Sequence, residues 1–236
     1  MKNLTFYVVV LIFSCSLSAQ VVKTGTGWAL QQNNTNKDFS HPQAMGTTYR
    51  QLDSTAEVKG TPYYRDYAIG RVFVNNSKNS AGLFRYNVYN DQIEGKKTED
   101  EFFVYGKDEN VSYVIDGKTY VVKTLEGKKT YFIELLDNNK LSFLFKPEKI
   151  FYPARKKKNS YDTDKLAQFV DDNTYFILDK KKNKYLQVKN LKTKHILKIL
   201  PEDNRKKQLQ TFLKDKNLKL DTEENVCIAL KYYANL

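Results

Sequence analysis

From Gly60 to Ala154 the chain offers a short apolar run, closed by a turn signal, roughly every ten residues. The runs are Ala68–Asn75, Gly82–Asn90, Glu101–Tyr105, Val111–Ile115, Thr119–Thr124, Lys129–Leu135, Lys140–Phe145 and Lys149–Tyr152. They are short and rich in Val, Ile, Tyr and Phe, which favours strands over helices. Asp116-Gly117, Glu126-Gly127 and Asp137-Asn138-Asn139 separate several of them. Such residues supply the positive φ that tight hairpin turns require. Hairpins in series build an antiparallel meander. After a charged break at Arg155–Ser160, Asp164–Val170 reads as one short helix. Thr174–Leu178 and Lys184–Val188 then read as another hairpin, across the basic turn Asp179–Asn183.

The hydrophobic period changes near residue 193. Ile196, Ile199 and Leu200 recur at helical spacing, with Thr193 as the expected N-cap. Leu209, Phe212 and Leu213 repeat that spacing in a helix expected to stop at Asn217. Asp221-Thr-Glu-Glu224 resembles a capping box and opens a third helix through Val226, Leu230 and Tyr233. The fold class is therefore mainly β (α+β): a curved antiparallel β-meander or incomplete barrel with short C-terminal helices. Residues 60–192 form the β domain, and 193–236 form a helical cap of the same domain.

The start of the chain speaks to destination. Lys2 precedes an unbroken apolar run, Phe6 to Phe13, too short to span a bilayer as a helix. Small residues follow, up to Ala19-Gln20. This is the pattern of a secretory signal peptide over residues 1–19, with cleavage between Ala19 and Gln20. The expected location is the periplasm or the cell surface. Ile12-Phe13-Ser14-Cys15 loosely resembles a lipobox, but the bulky Phe13 makes the match poor. Residues 20–59 are polar, with no apolar period in QQNNTNKD. They read as a flexible arm that carries Trp28. Without Cys15 the mature chain keeps only Cys227, so its stability rests on the core rather than on a disulfide.

Charge is uneven. The formal charge is +12, and residues 155–236 alone hold 20 Lys/Arg against 11 Asp/Glu. A basic half suits an acidic partner: an envelope protein, an acidic glycan or an anionic lipid surface. Nucleic acid fits poorly, because export removes a genomic target. Lysine also dominates over the arginine fork that recognises phosphate bidentately.

Catalytic chemistry finds little support. His41 and His195 stand apart from any metal or triad pattern. Cys227 falls among the apolar positions of the last helix and reads as a small buried hydrophobe. The adjacent acids Glu99-Asp100-Glu101, Asp108-Glu109 and Asp171-Asp172 do not form a facing pair of the kind glycoside hydrolysis needs. There is no phosphate loop. Asp137–Asn139 lacks the remaining ligands of a calcium loop. No cofactor, metal or catalytic residue is therefore assigned, and the chain reads as a non-enzyme.

Residues 83–91, LFRYNVYND, interleave aromatic and polar side chains. Read by twos, Phe84, Tyr86, Val88 and Asn90 face the core. Arg85, Asn87 and Tyr89 then form an expected exposed patch, the candidate partner-binding surface. Glycine is missing from the places where an RNA-binding strand needs it, so base stacking is rejected.

The segment GTPYYRDYAIGRVFVNNSKNSAGLFRYNVYNDQIE resembles a pattern of small exported β-rich proteins of Bacteroidota, a family of unknown function. The matching positions are Gly60, Pro62, Tyr63, Gly70, Val72, Arg85, Tyr86, Asn87, Tyr89, Asp91 and Glu94, and Phe84 replaces a leucine. Lys216–Leu220, Glu223-Glu224 and Tyr232-Tyr233 look similar to its C-terminal pattern. The resemblance implies export and a β-rich domain, and no activity. Three functions are consistent with these readings. The first is an exported non-catalytic envelope protein that binds a protein, glycan or anionic surface. The second is a carrier whose curved sheet encloses an apolar ligand against Phe103, Tyr131, Ile133 and Phe143. The third is a hydrolase with unrecognised acids.

Overall fold

The computed structural model describes residues 30–33, 47–51, 57–201 and 204–236. The expected leader with its Ala19–Gln20 junction, Cys15, Trp28 and His41 lie outside these residues. Fifteen strands and three helices are described. The strands are β1 (Leu30–Asn33), β2 (Thr47–Gln51), β3 (Val58–Lys59), β4 (Ala68–Val74), β5 (Ser77–Asn87), β6 (Gln92–Lys96), β7 (Glu101–Val104) and β8 (Val111–Ile115). They continue as β9 (Lys118–Leu125), β10 (Lys128–Asp137), β11 (Leu141–Lys146), β12 (Lys149–Tyr152), β13 (Ala167–Asp171), β14 (Thr174–Asp179) and β15 (Lys184–Val188). The helices α1 (Thr193–Ile199), α2 (Asn204–Asp215) and α3 (Glu223–Asn235) follow.

Twelve strands form one antiparallel sheet in the order β1-β2-β7-β6-β5-β4-β8-β9-β10-β11-β14-β15. Its two ends do not pair, so it curls without closing into a barrel. The curl is strong. Tyr86 on β5 and Tyr131 on β10 are four strand steps apart, about 19 Å in a flat sheet. Their ring centroids lie 5.9 Å apart. The enclosed space is filled by a tyrosine-rich core that includes Phe84, Tyr86, Tyr105, Tyr113, Tyr120 and Tyr131. A second core joins Phe143, Ile177 and Val188 of the sheet to Ile196, Leu209, Leu213, Val226 and Leu230 of the helices. The four residues expected to line a ligand cavity are buried in these two cores. Phe103, Tyr131 and Ile133 lie in the first core and Phe143 in the second.

Turn chemistry sets the register. Asp116-Gly117 and Glu126-Gly127 adopt positive φ at both residues, as two-residue hairpins demand. Asn75 and Asn76 do the same, at 48° and 63°, and close β4–β5. The Asp137–Asn139 turn works differently. None of its residues has positive φ. Instead Asn138 Oδ1 accepts the backbone N–H groups of Lys140 and Leu141 at 2.9 and 3.0 Å. Gly70 is required for a separate reason: a Cβ there would lie 2.8 Å from Phe84 Cδ2 and 3.0 Å from the Val114 carbonyl oxygen. The ring can shift but the ladder carbonyl cannot. Gly70→Ala should therefore cost about 1–3 kcal/mol. A urea titration that finds it neutral would show that the sheet yields there.

Several expectations are corrected. Three segments of the polar 20–59 stretch are strands: β1 and β2 extend the large sheet beyond β7, and β3 joins the small one. Backbone pairing at a sheet edge does not need apolar side chains, so hydropathy misses such strands. Strand β6, QIEGK, was absent from the apolar runs because its buried residues include Glu94 and Gly95. The helix expected over Asp164–Val170 is strand β13, which pairs with β12 and lies parallel to β3 in a small three-stranded sheet. A seven-residue apolar pattern does not distinguish helix from strand. Thr193 is not a cap: Lys192 holds the N-cap position. The Thr193 hydroxyl accepts the Leu220 N–H at 3.0 Å, tying α1 to the segment before α3. The α3 cap is Thr222 rather than Asp221; its hydroxyl accepts the Asn225 N–H at 3.2 Å. Asn217 stops α2 with φ 46°, as expected.

Candidate functional site

The patch expected from Arg85 and Asn87 is not on the surface. Arg85 is 6% exposed and Asn87 4%. On the paired strand, Glu94 stands opposite Arg85. Arg85 Nε donates to Glu94 Oε2 at 2.7 Å, and Asn87 Nδ2 donates to Glu94 Oε1 at 2.9 Å. Tyr63 and Tyr67 cover the guanidinium, with its carbon 3.6 and 4.2 Å from their ring centroids. A buried charge needs both a counter-ion and hydrogen bonds, and aromatic faces add cation–π attraction. Burial pushes the Tyr63 hydroxyl up to about 12, so no phenolate competes for Arg85. The alternation by twos was right for Phe84, Tyr86 and Val88, which are buried. It failed at Asn90, which is exposed, and at Arg85 and Asn87 of the other face, where Tyr63, Tyr67 and Phe102 surround the guanidinium.

Tyr89, the third residue of that patch, is 38% exposed. Its ring packs edge-on against Phe169, 5.4 Å away, and Phe151, 6.3 Å away. It thereby fastens the small sheet to the large one. Gly60 permits a separate close approach, of the end of β3 to β13: its φ is +81°, and a Cβ there would meet the Phe169 carbonyl oxygen at 3.1 Å.

The hairpin that Tyr89 holds in place, residues 149–171, is the most unusual surface described. Ile150, Tyr152, Tyr161, Leu166 and Val170 are 41–100% exposed, half of the exposed large apolar side chains among the described residues. Ile150 pairs with Val170 and Tyr152 with Gln168, so these side chains share the outer face. Phe151 and Phe169 fill the inner face, with centroids 5.0 Å apart. Past this face the chain narrows through an Arg155–Lys165 bridge into a tip. The tip is braced from within. Arg155 Nη2 pairs with Asp162 at 2.9 Å, and Asp164 Oδ1 accepts the Lys157 N–H at 2.7 Å. Lys156, Lys157 and Lys158 remain exposed, with no ion pair among the described residues. Tyr161 stands beside them, fully exposed.

An internally braced tip with cations, an exposed aromatic and an apolar face below it can engage a surface that is both anionic and apolar. The sequence held the signal, since the lysine run is followed by a lone Tyr and flanked by alternating apolar residues. Read as a charged break plus a helix, the two halves were never placed on one hairpin. His195 is exposed on α1. Cys227 Sγ lies 3.5 Å from the Leu135 carbonyl oxygen, and burial pushes its thiol up, away from the thiolate a nucleophile needs. No helix among the described residues is long and apolar enough to cross a membrane. No known family model matches the chain, nor does any curated protein or solved structure.

Proposed function

We propose that the protein is an exported, non-catalytic binding protein that docks on an anionic lipid surface through hairpin 149–171. The observation that carries this reading is the joining of exposed apolar side chains and an exposed lysine run on one hairpin. Interfacial binding scales with buried apolar area plus attraction to anionic lipid. A hydrophilic glycan would use the lysines but leave Ile150, Tyr152 and Val170 idle. The leader-like residues 1–19 and the resemblance to exported Bacteroidota proteins support an envelope setting. A protein partner with an acidic, apolar face is the second reading, favoured by the same patch.

Cosedimentation with phosphatidylcholine vesicles, with and without phosphatidylglycerol, tests the proposal. The full chain should bind only the anionic vesicles, and binding should weaken with salt. Each lysine near such a surface contributes about 1 kcal/mol, so Lys156→Ser/Lys157→Ser/Lys158→Ser should weaken binding on the order of a hundredfold. Tyr161→Ser/Leu166→Ser should remove the part that survives salt. Salt-independent binding, or equal binding to neutral vesicles, would overturn the lipid reading.

A further inference from the structure

A second site lies where the end of the large sheet meets the C-terminal helices, and it shares no residue with hairpin 149–171. The β14–β15 turn, Asp179–Asn183, carries Lys180, Lys181 and Lys182 in succession. Its shape is set locally: Asp179 Oδ1 accepts the Lys182 N–H at 3.1 Å, and Asn183 takes φ 47°. The Lys180 N–H donates to the Lys140 carbonyl at 3.0 Å, which lashes this turn to the β10–β11 turn. The lysines of two hairpins are thereby gathered along one edge. Lys180 Nζ is occupied by Asp137 at 2.7 Å. Lys140, Lys181 and Lys182 are exposed.

Between this edge and the helices runs a cleft of about 700 Å³. Leu141, Ile177 and Leu186 line it from the sheet, and Leu200, Pro201 and Tyr233 from the helical side. Arg205, on the opposite rim, places its guanidinium carbon 4.9 Å from the Tyr233 ring centroid. The volume falls within the range typical of small-molecule sites, which are apolar with a few polar groups at defined places.

The geometry points to an anionic single-chain amphiphile as the occupant, its tail on the apolar walls and its head among Lys140, Lys181 and Lys182. Charge complementarity selects this class. Among the described rim residues, Lys180 is paired with Asp137, and Lys140, Lys181 and Lys182 stand against the single carboxylate of Asp179. A neutral apolar ligand would leave that excess unused. A small inorganic anion would leave the apolar walls wet. A fatty carboxylate and a lysophospholipid phosphate share the required chemistry, and the test separates them.

Calorimetric titration of the full chain with oleate, below its aggregation concentration, should show a single saturable site. Oleoyl lysophosphatidate serves as the phosphate arm; tighter binding than oleate would identify the head as a phosphate, and weaker binding as a carboxylate. Oleyl alcohol should bind at least about tenfold more weakly than the preferred anion. Lys181→Glu/Lys182→Glu should weaken the anion about tenfold or more, and Leu186→Glu should do the same by placing a carboxylate in the cleft. Lys156→Ser/Lys157→Ser/Lys158→Ser should leave anion affinity unchanged, which separates this site from the lipid-docking hairpin. Amide chemical-shift changes should centre on Leu186 and Leu200. Absence of saturable binding to either anion, equal affinity for oleyl alcohol, insensitivity to the rim and wall variants, or shift changes confined to other elements would each overturn the assignment.

Discussion

Replacing Arg85 with methionine should cost about 3–5 kcal/mol of folding stability, because the change leaves Glu94 buried without its counter-ion. Glu94 is 1% exposed and, among the described residues, would keep the Asn87 amide alone as a hydrogen-bond partner. The cost should depend on pH, and its sign follows from the carboxyl. Burial pushes the Glu94 carboxyl above its ordinary range; the Arg85 charge and the Asn87 hydrogen bond pull it only part of the way back. A group with a raised folded pKa contributes stability that is present below its unfolded pKa and lost as pH rises through the folded value. Without Arg85 the folded pKa climbs further, so the neutral-pH penalty grows. Below about pH 4 the carboxyl is protonated in both states and that penalty vanishes. Urea titrations should therefore show the Arg85→Met deficit shrinking from neutral pH into acid. Arg85→Met/Glu94→Leu should recover most of the loss at neutral pH, since well-packed apolar replacements of a buried pair are often neutral or stabilising. A deficit that grows in acid would mean the pair is not the reason for the loss. Vesicle binding by the folded fraction should match that of the unaltered protein, because Arg85 contributes nothing to the exposed face of hairpin 149–171.

The Arg85 cluster also shows what was legible in the sequence. Local chemistry was readable: Asp116-Gly117 and Glu126-Gly127 announce their hairpins, and Asn217 announces the end of α2. One-sided periodicity was readable too, which is why Phe84, Tyr86 and Val88 were assigned to the core. What sequence hid was decided by residues distant along the chain. Arg85 looks like a surface residue until Tyr63, Tyr67 and Glu94 are placed around it. Glu94 hides β6 for the same reason. The hairpin over 149–171 was hidden differently. Each half was visible as apolar alternation or as charge, but their juxtaposition depends on pairing between Ile150 and Val170. The basic turns at Lys140 and Lys180–Lys182 likewise meet only because β11 pairs with β14, setting Leu141 opposite Asp179.

Asp91→Ala is expected to be nearly as damaging as the loss of Arg85, and for a different reason. Asp91 closes the β5–β6 turn with φ 53°, a conformation that costs alanine more than Asp or Asn. Its carboxylate also serves three donors. Oδ1 accepts the Tyr86 hydroxyl at 2.7 Å and the Tyr131 backbone N–H at 3.1 Å, and Oδ2 pairs with Lys107. Tyr131 belongs to β10, on the far side of the curled sheet, so Asp91 bridges the interior that the curl encloses. Alanine would leave the buried Tyr86 hydroxyl and the Tyr131 N–H unmatched, each costing about 1–3 kcal/mol. Asparagine separates the contributions. It tolerates the positive φ and still offers an amide oxygen to Tyr86 and Tyr131, losing the charge and the acceptor that Lys107 uses. That pair is partly solvated, with side-chain exposures of 19% and 21%, so its loss should cost about 1 kcal/mol or less. Urea titrations should rank the proteins unaltered, Asp91→Asn, then Asp91→Ala, with the larger step between the two variants. Amide exchange at Tyr131 should accelerate in Asp91→Ala and stay near normal in Asp91→Asn. Equal losses in the two variants would assign the effect to the ion pair with Lys107 and remove the bridging role from Asp91.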